Sequence, residues 1–106
     1  MPNKIHIHKY HGQDNQLWFW NNATLRSKMY PEKVIEINLG NYKIRLATYT
    51  GNANQQFSVF TDEFGQHEIV SEYEELRMVR SGNMVGANKR TGESNQKWTF
   101  IFPYFP

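Results

Sequence analysis

The chain has 106 residues and a formal net charge of +2, because 12 basic and 10 acidic residues are distributed along its whole length. This length suits a single domain over residues 1–106, and the mixed charge offers no single-sign surface for nucleic acid or an anionic membrane. The chain has no cysteine, which excludes disulfides, thiolate metal sites and thiol nucleophiles. We expect a soluble protein without membrane insertion, either cytoplasmic or released without a conventional signal peptide, because no long apolar segment is present.

The most informative feature of the chain is a pattern, G-x-x-N-Q-x-(Trp/Phe), that occurs three times. Its copies run from Gly12 to Trp18, from Gly51 to Phe57 and from Gly92 to Trp98. The motif glutamines, at positions 16, 55 and 96, are 39 and then 41 residues apart. A nearly constant spacing of this kind indicates a fold built from repeated supersecondary units.

Apolar residues at alternating positions predict a short strand on each side of every motif. The residues that carry this alternation are Ile5 and Ile7 before the first motif and Trp20 after it, Ile44 and Leu46 before the second and Val59 after it, and Val85 and Ala87 before the third and Phe100 after it. We therefore predict that each motif is the tight turn of a hairpin. Its glycine would adopt a backbone angle that a side chain resists.

Further strands are predicted between the motifs, at 24–27, 34–37, 68–71 and 76–79, with turn residues such as Pro31, Gly40 and Gly65 separating them. The one candidate helix, at 71–76, is too short and is flanked by strands, so the sequence predicts an all-β protein. Three units are too few for a β-propeller. A small closed barrel or a threefold assembly of hairpins is favoured.

The three Asn-Gln-x-(Trp/Phe) tetrads at this spacing resemble the Q-x-W repeats of the ricin B-type lectins, over the span from Lys4 to Phe102. The resemblance implies a β-trefoil of three repeats of about 40 residues, short of one strand at each terminus. It also implies that Trp18, Phe57 and Trp98 lie in a shared core. The motif glutamines are expected to bond backbone groups that the tight turns leave unpaired.

Lectins of this family bind galactose, N-acetylgalactosamine or related sugars in shallow pockets. The resemblance assigns to each pocket a carboxylate, a ring that stacks on the sugar and the Asn of the Asn-Gln pair. The implied carbohydrate-binding residues are Glu36, Tyr49 and Asn54 in the middle unit, His8, Asp14 and Asn15 in the first, and Asn95 in the third. No unit is complete: Tyr49 replaces a ring that Ala47 cannot supply, and the third unit has no acid and places Asn88 at the ring position.

The function that the resemblance implies is that of a carbohydrate-binding lectin whose partner is a glycan or glycoprotein. We expect no catalysis, no cofactor and no metal, because no catalytic motif is present and His6, His8 and His11 lack a supporting acid cluster. For the apolar, aromatic tail at residues 100–106 two roles stay open: it packs across the open barrel of its own chain, or the tail and the open barrel edge pair with a second copy to form a homodimer.

Two alternatives from other classes stay open. The first is a β-trefoil protein-interaction module, either a protease inhibitor or a subunit of a toxin or larger complex, whose sugar sites have decayed. The missing carboxylates favour it. The second is a nucleic-acid-binding barrel that uses Arg45, Lys89 and Arg90 beside surface aromatics, although the overall charge does not support this function.

Overall fold

The structure, a computed structural model, describes residues 18–82 and 84–99. The described residues form eight strands: β1 Trp18–Asn21, β2 Thr24–Ser27, β3 Lys33–Ile37, β4 Ile44–Thr48, β5 Phe57–Thr61, β6 His67–Ser71, β7 Arg77–Ser81 and β8 Met84–Asn88. Short 3-10 turns at Ala53–Gln55 and Ser94–Gln96 precede the aromatic residues of the second and third motifs. Within these ranges there is no α-helix, which agrees with the all-β prediction.

The strands form two antiparallel sheets with the same internal order, β1-β2-β3-β4 and β5-β6-β7-β8. In each sheet the two outer hairpins have long registers, whereas the central pair of strands meets only briefly, at Arg26 opposite Val34 and at Val70 opposite Arg77. The two sheets also touch each other, because Ala87 N donates to Tyr42 O at 2.7 Å. The described chain is therefore two copies of one four-stranded arrangement.

The alternation of apolar residues in the strands produces a shared core. Ile35 lies opposite Leu46 in the first sheet, and Met78 lies opposite Ala87 in the second. These four residues are buried and belong to one apolar cluster, which also contains Phe57. Strand neighbours one position away point to the opposite face of each sheet, and the polar residues discussed below lie on that face.

Most of the predicted strands are confirmed. All four strands predicted between the motifs are present, and so are the strands that contain Ile44, Val59 and Val85. The candidate helix at 71–76 is a turn, in agreement with its rejection. The strand predicted to start at Trp98 is represented by an isolated bridge to His67.

The prediction that each motif is the turn of a hairpin is wrong. β4, which precedes the second motif, pairs with β3, whereas β5, which follows it, pairs with β6 in the other sheet. The second motif thus carries the chain from one sheet to the next. Alternation shows which residues are buried but not which strands are neighbours, and this is why the pairing was misassigned.

The predicted role of the motif glycines is confirmed at the two described copies. Gly51 has a φ of 82° and Gly92 a φ of 78°, both in the left-handed region. A side chain at Gly51 would in addition approach the Tyr49 hydroxyl, which lies 3.3 Å from the position of a Cβ. Another residue at Gly51 would therefore strain the backbone and disturb Tyr49.

The motif aromatics lie at the core, as predicted, but to different depths. Phe57 is buried, whereas Trp18 and Trp98 are partly buried and pack against the same cluster. Phe57 N donates to Ala23 O and Trp98 N donates to His67 O, each at 2.8 Å. Ala23 lies in the β1–β2 turn and His67 is the first residue of β6, so each motif aromatic is bonded to the first hairpin of the preceding sheet. This shared contact is direct evidence of a structural repeat.

Several predictions fall on residues outside the described ranges. These concern the strand at Ile5 and Ile7, the first motif from Gly12 to Leu17, the aromatic tail, and the missing terminal strands. Along 18–82 and 84–99, no helix has the length and apolar character needed to cross a membrane.

Candidate functional site

The motif glutamines of the second and third units are buried hydrogen-bonding centres. Gln55 Oε1 accepts from Thr50 N at 2.7 Å, and its Nε2 donates to Thr48 O at 2.8 Å. Gln96 repeats this pattern, since its Oε1 accepts from Thr91 N at 2.9 Å and its Nε2 donates to Lys89 O at 2.8 Å. The prediction that these glutamines satisfy turn backbone is confirmed.

Glu36 is the fourth of the five residues of β3, lies on the face opposite the core and is almost fully buried. Its Oε2 accepts from Arg45 Nε at 2.7 Å, and its Oε1 accepts from Gln55 Nε2 at 2.9 Å. Both carboxylate oxygens therefore already have a protein partner. The solvent-facing part of this pair is the guanidinium of Arg45, whose side chain is about half exposed.

Tyr49 directly follows β4 and has 52% of its surface exposed. Arg26 Cζ lies 5.7 Å from the centroid of its ring, within the range of a cation–π contact. Arg26 is opposite Val34, which is itself opposite Ala47, so all of these residues share one face of the sheet. Tyr49 can therefore replace the ring that Ala47 does not supply on this face.

The two described motif asparagines differ in their surroundings. Asn54 Nδ2 donates to Ile37 O at 2.9 Å, which fixes the amide beside the end of β3. Asn95, at the same place in the third unit, is exposed, and none of the described residues forms a hydrogen bond with its side chain. Asn88, at the third unit's ring position, uses its Oδ1 to accept from Lys89 N.

The structure thus brings the three middle-unit candidates together. Gln55 links Glu36 to the backbone on both sides of Tyr49, and Asn54 is bonded to the residue after Glu36. We call Glu36, Arg45, Tyr49 and Asn54 the middle-unit surface. The first-unit candidates His8, Asp14 and Asn15 lie outside the described residues, and the sugar-binding role of all seven candidates stays a prediction.

A buried carboxylate that the sequence analysis did not single out is Glu68, in β6. Its side chain has no solvent exposure, and its oxygens accept from Arg77 Nε at 2.9 Å, Arg90 Nε at 3.0 Å and Lys97 Nζ at 2.6 Å. Lys97 Nζ also donates to Asp62 Oδ2 at 2.8 Å. We call these five residues the Glu68 cluster.

The hydrogen bond from Arg90, with those from Lys97 and Arg77, lowers the pKa of Glu68 from its ordinary 4.5 to about 2, although burial acts in the opposite direction. The hydrogen bond from Lys97 likewise lowers the pKa of Asp62. The same contacts raise the pKa of Lys97, chiefly through Asp62. All members of the cluster are therefore charged at neutral pH, with one more positive than negative group.

An aromatic ring lies against this cluster. Phe60, in β5, is opposite Glu68 and is 43% exposed. The Cζ atoms of Arg90 and Arg77 lie 5.4 and 5.9 Å from its ring centroid. The sequence signal for this arrangement was weak, because an acid in a strand usually indicates a solvent-facing position.

In the part of the chain that the structure describes, no group of three acidic or histidine side chains is placed to hold a metal ion.

The fold was compared with known proteins. No family model matches the chain, and no curated protein matches it. Among solved structures, the chain is similar to a designed 3-fold symmetric protein, ThreeFoil, with a TM-score of 0.73 and 21% sequence identity, over 91% of this chain and 78% of that one. The fold is therefore a β-trefoil, which confirms the predicted fold class. At this identity the likeness concerns the fold alone.

Proposed function

We propose that this β-trefoil is a non-catalytic carbohydrate-binding protein, a lectin for galactose-type or related glycans, and that the middle-unit surface is one of its sites. The observation that carries the proposal is the position of Tyr49. Its half-exposed ring has Arg26 beside it, and Gln55 bonds the backbone on both sides of Tyr49, so that a flat apolar surface lies next to a polar group on a fixed backbone. This combination suits a sugar, which has one apolar C–H face and a rim of hydroxyls.

The geometry also suggests how the roles are divided. Both oxygens of Glu36 are already bonded, so we assign Glu36 to holding Arg45, whose exposed guanidinium then donates to sugar hydroxyls. Asn54 Nδ2 is bonded to Ile37 O, which leaves its Oδ1 as an acceptor for a hydroxyl. A shallow site with one ring and two polar groups is expected to bind a monosaccharide with a Kd of about 1 mM, or about −4 kcal/mol.

The test is a glycan array followed by competition with free galactose, N-acetylgalactosamine and lactose. Tyr49→Ala should remove the competed binding that the middle-unit surface contributes, and Tyr49→Phe, which keeps the ring, should retain it. Phe64→Ala is the matched control, because it removes an exposed ring at the tip of the β5–β6 hairpin. Unchanged binding by Tyr49→Ala would show that the site is elsewhere. A folded protein that binds no glycan would overturn the proposed function.

A second candidate function, a protein-interaction module, is favoured by a different observation. Phe64 is 79% exposed at a hairpin tip, and Leu39 is exposed in the loop between β3 and β4. Large apolar residues at loop tips are typical anchors for a protein partner. Phe64→Ala would then abolish co-purification of a specific partner, and Tyr49→Ala would not.

A further inference from the structure

The third unit, which has no complete set of the residues that the family resemblance requires, carries an arginine at the place of the middle unit's tyrosine. Arg90 precedes Gln96 by six residues, as Tyr49 precedes Gln55. The two networks are also the same: each glutamine donates to the carbonyl just before this position and accepts from the amide just after it. Arg90 and Tyr49 are therefore structurally equivalent.

A ring is nevertheless present beside Arg90. In the middle unit, the Tyr49 ring lies 5.7 Å from Arg26 Cζ, and in the third, the Phe60 ring lies 5.4 Å from Arg90 Cζ. In the third unit the ring comes from β5, in the β5–β6 hairpin, whereas in the middle unit it comes from Tyr49, directly after the end of β4. Both surfaces thus contain an exposed aromatic residue with a guanidinium beside it.

The guanidinium of Arg90 is fixed in place but has an open side. Its Nε and Nη2 donate to Glu68, while no described residue accepts from its Nη1. The side chain is 47% exposed. Because the buried Glu68 already restrains it, Arg90 loses little conformational freedom when a ligand binds.

The charge balance favours an anion. Arg77, Arg90 and Lys97 carry three positive charges against two on Glu68 and Asp62, and the lowered pKa values keep both acids ionised at neutral pH. Arg77 Nη2 also has no described acceptor, although Nε and Nη1 are bonded. Every fully buried side-chain nitrogen or oxygen among the described residues has a partner, so this atom is not fully buried, and the Arg77 side chain as a whole is 12% exposed.

We propose that Phe60, Arg77 and Arg90 form a second saccharide site, selective for sugars that bear a carboxylate or a sulfate. The acidic group pairs with the outward edge of the Arg90 guanidinium, and the apolar face of the sugar packs on Phe60. The proposal rests on the proposed carbohydrate binding. The proposed third-unit site differs from the middle-unit site because it selects a charged sugar.

The experiment is a titration of the full chain, followed by two-dimensional NMR, with lactose, sialyllactose, sulfated lactose and inorganic sulfate. The carboxylated and the sulfated sugar should each bind about tenfold more tightly than lactose, as expected for one hydrogen bond to a charged donor. Amide shifts should centre on β5 and the segment after β8. Comparison of the two acidic sugars identifies the preferred acidic group.

Three variants and one control variant test the assignment. Arg90→Gln should bring the affinity for acidic sugars down to that for lactose, and Arg80→Gln, which removes an exposed arginine of β7, should leave it unchanged. If Arg90→Gln impairs folding, Arg90→Lys is used instead. Lysine keeps a cation beside Glu68 but lacks the planar guanidinium group, so this variant should show the same loss of affinity for acidic sugars with an unaltered melting temperature. Phe60→Ala should weaken the acidic sugars but leave the weak binding of inorganic sulfate unchanged.

The outcomes separate the two proposals. Equal affinity for neutral and acidic sugars, unaffected by Arg90→Gln, would overturn the acidic site and leave the lectin intact. Sulfate that binds as tightly as sulfated lactose would also overturn it, because the site would then recognise the anion without the sugar. If no saccharide binds to the folded chain, the proposed function itself fails.

Discussion

At the scale of single residues, Glu68 shows how a buried charge can be stabilised. It is fully enclosed, so its desolvation is costly, and three hydrogen-bonded cations offset that cost. Its partners also connect separate parts of the chain: Arg77 is on β7, while Arg90 and Lys97 follow β8. One carboxylate thus holds the third motif against the β5–β6 hairpin.

Replacement of this carboxylate by an amide should be strongly destabilising. Glu68→Gln leaves Arg77 and Arg90 without a counter-charge and Lys97 with Asp62 alone. We expect the free energy of unfolding to fall by about 3 kcal/mol, the low end for a broken buried pair because Arg90 is half exposed. Urea unfolding measures the change. Glu63→Gln, in the exposed loop of the same hairpin, is the control and should change stability by less than about 0.5 kcal/mol.

The pH dependence of stability follows from the same residue. The pKa of Glu68 is lowered from 4.5 to about 2 in the folded protein, so its contribution is complete above pH 4.5 and is lost as the pH falls towards 2. Asp62, whose pKa is also lowered, adds a loss of the same sign. Urea unfolding from pH 7 to pH 2 should show a steeper decline for the wild type than for Glu68→Gln. If the unfolding free energies of the wild type and of Glu68→Gln declined in parallel with falling pH, the stabilising role assigned to ionised Glu68 would be contradicted.

At the scale of elements, the turn between β6 and β7 is built from unsuitable residues. Glu74 and Glu75 have φ angles of 53° and 54°, both left-handed, and Leu76 N donates to Tyr73 O across them. A turn with two left-handed central residues favours asparagine and glycine. The Glu74 carboxylate interacts with the adjacent Tyr73 hydroxyl and raises its pKa, whereas no described residue forms a hydrogen bond with the Glu75 side chain.

Substitution in this turn should therefore stabilise the fold. The double change Glu74→Asn and Glu75→Gly relieves two left-handed glutamates, and we expect a gain of about 1 kcal/mol in the free energy of unfolding. Differential scanning calorimetry would show it as a rise in melting temperature. Glu72→Gly, at a position without a positive φ, should instead destabilise the protein. A double variant that melts no higher than the wild type would argue against strain in this turn.

The elements also show what could be predicted from the sequence. Alternation located the strands because it records burial on one face, and the left-handed glycines followed from the motif. The sequence did not show that β4 and β5 lie in different sheets, because the alternation of apolar residues in a strand does not identify the strand with which it pairs. The Glu68 cluster was missed for a similar reason: Arg77, Arg90 and Lys97 stand 9, 22 and 29 residues from Glu68.

At the scale of the whole molecule, the second motif joins the two sheets. Gln55 is bonded to Glu36 of β3, to Thr48 at the end of β4 and to the turn that leads into β5. The sheets meet a second time where Lys43 bridges to Gly86 and Ala87 N donates to Tyr42 O. Because the apolar cluster is also continuous across both sheets, we expect them to unfold as one unit.

Hydrogen exchange on a variant of Gln55, the residue through which the second motif joins the two sheets, tests whether the sheets unfold together. Gln55→Ala removes the side-chain partner of Thr50 N, Thr48 O and Glu36 Oε1, and the free energy of unfolding should fall by about 2 to 4 kcal/mol. If the sheets unfold together, the slowest amides of β3 and of β7 should lose the same protection, although none of the side-chain hydrogen bonds of Gln55 reaches β7. Gln56→Ala, next to it, gives up one bond to Gly51 O and should have a smaller effect. A loss confined to β3 and β4 would mean that each four-stranded arrangement is stable by itself, and the motif would then be a linker instead of a structural joint.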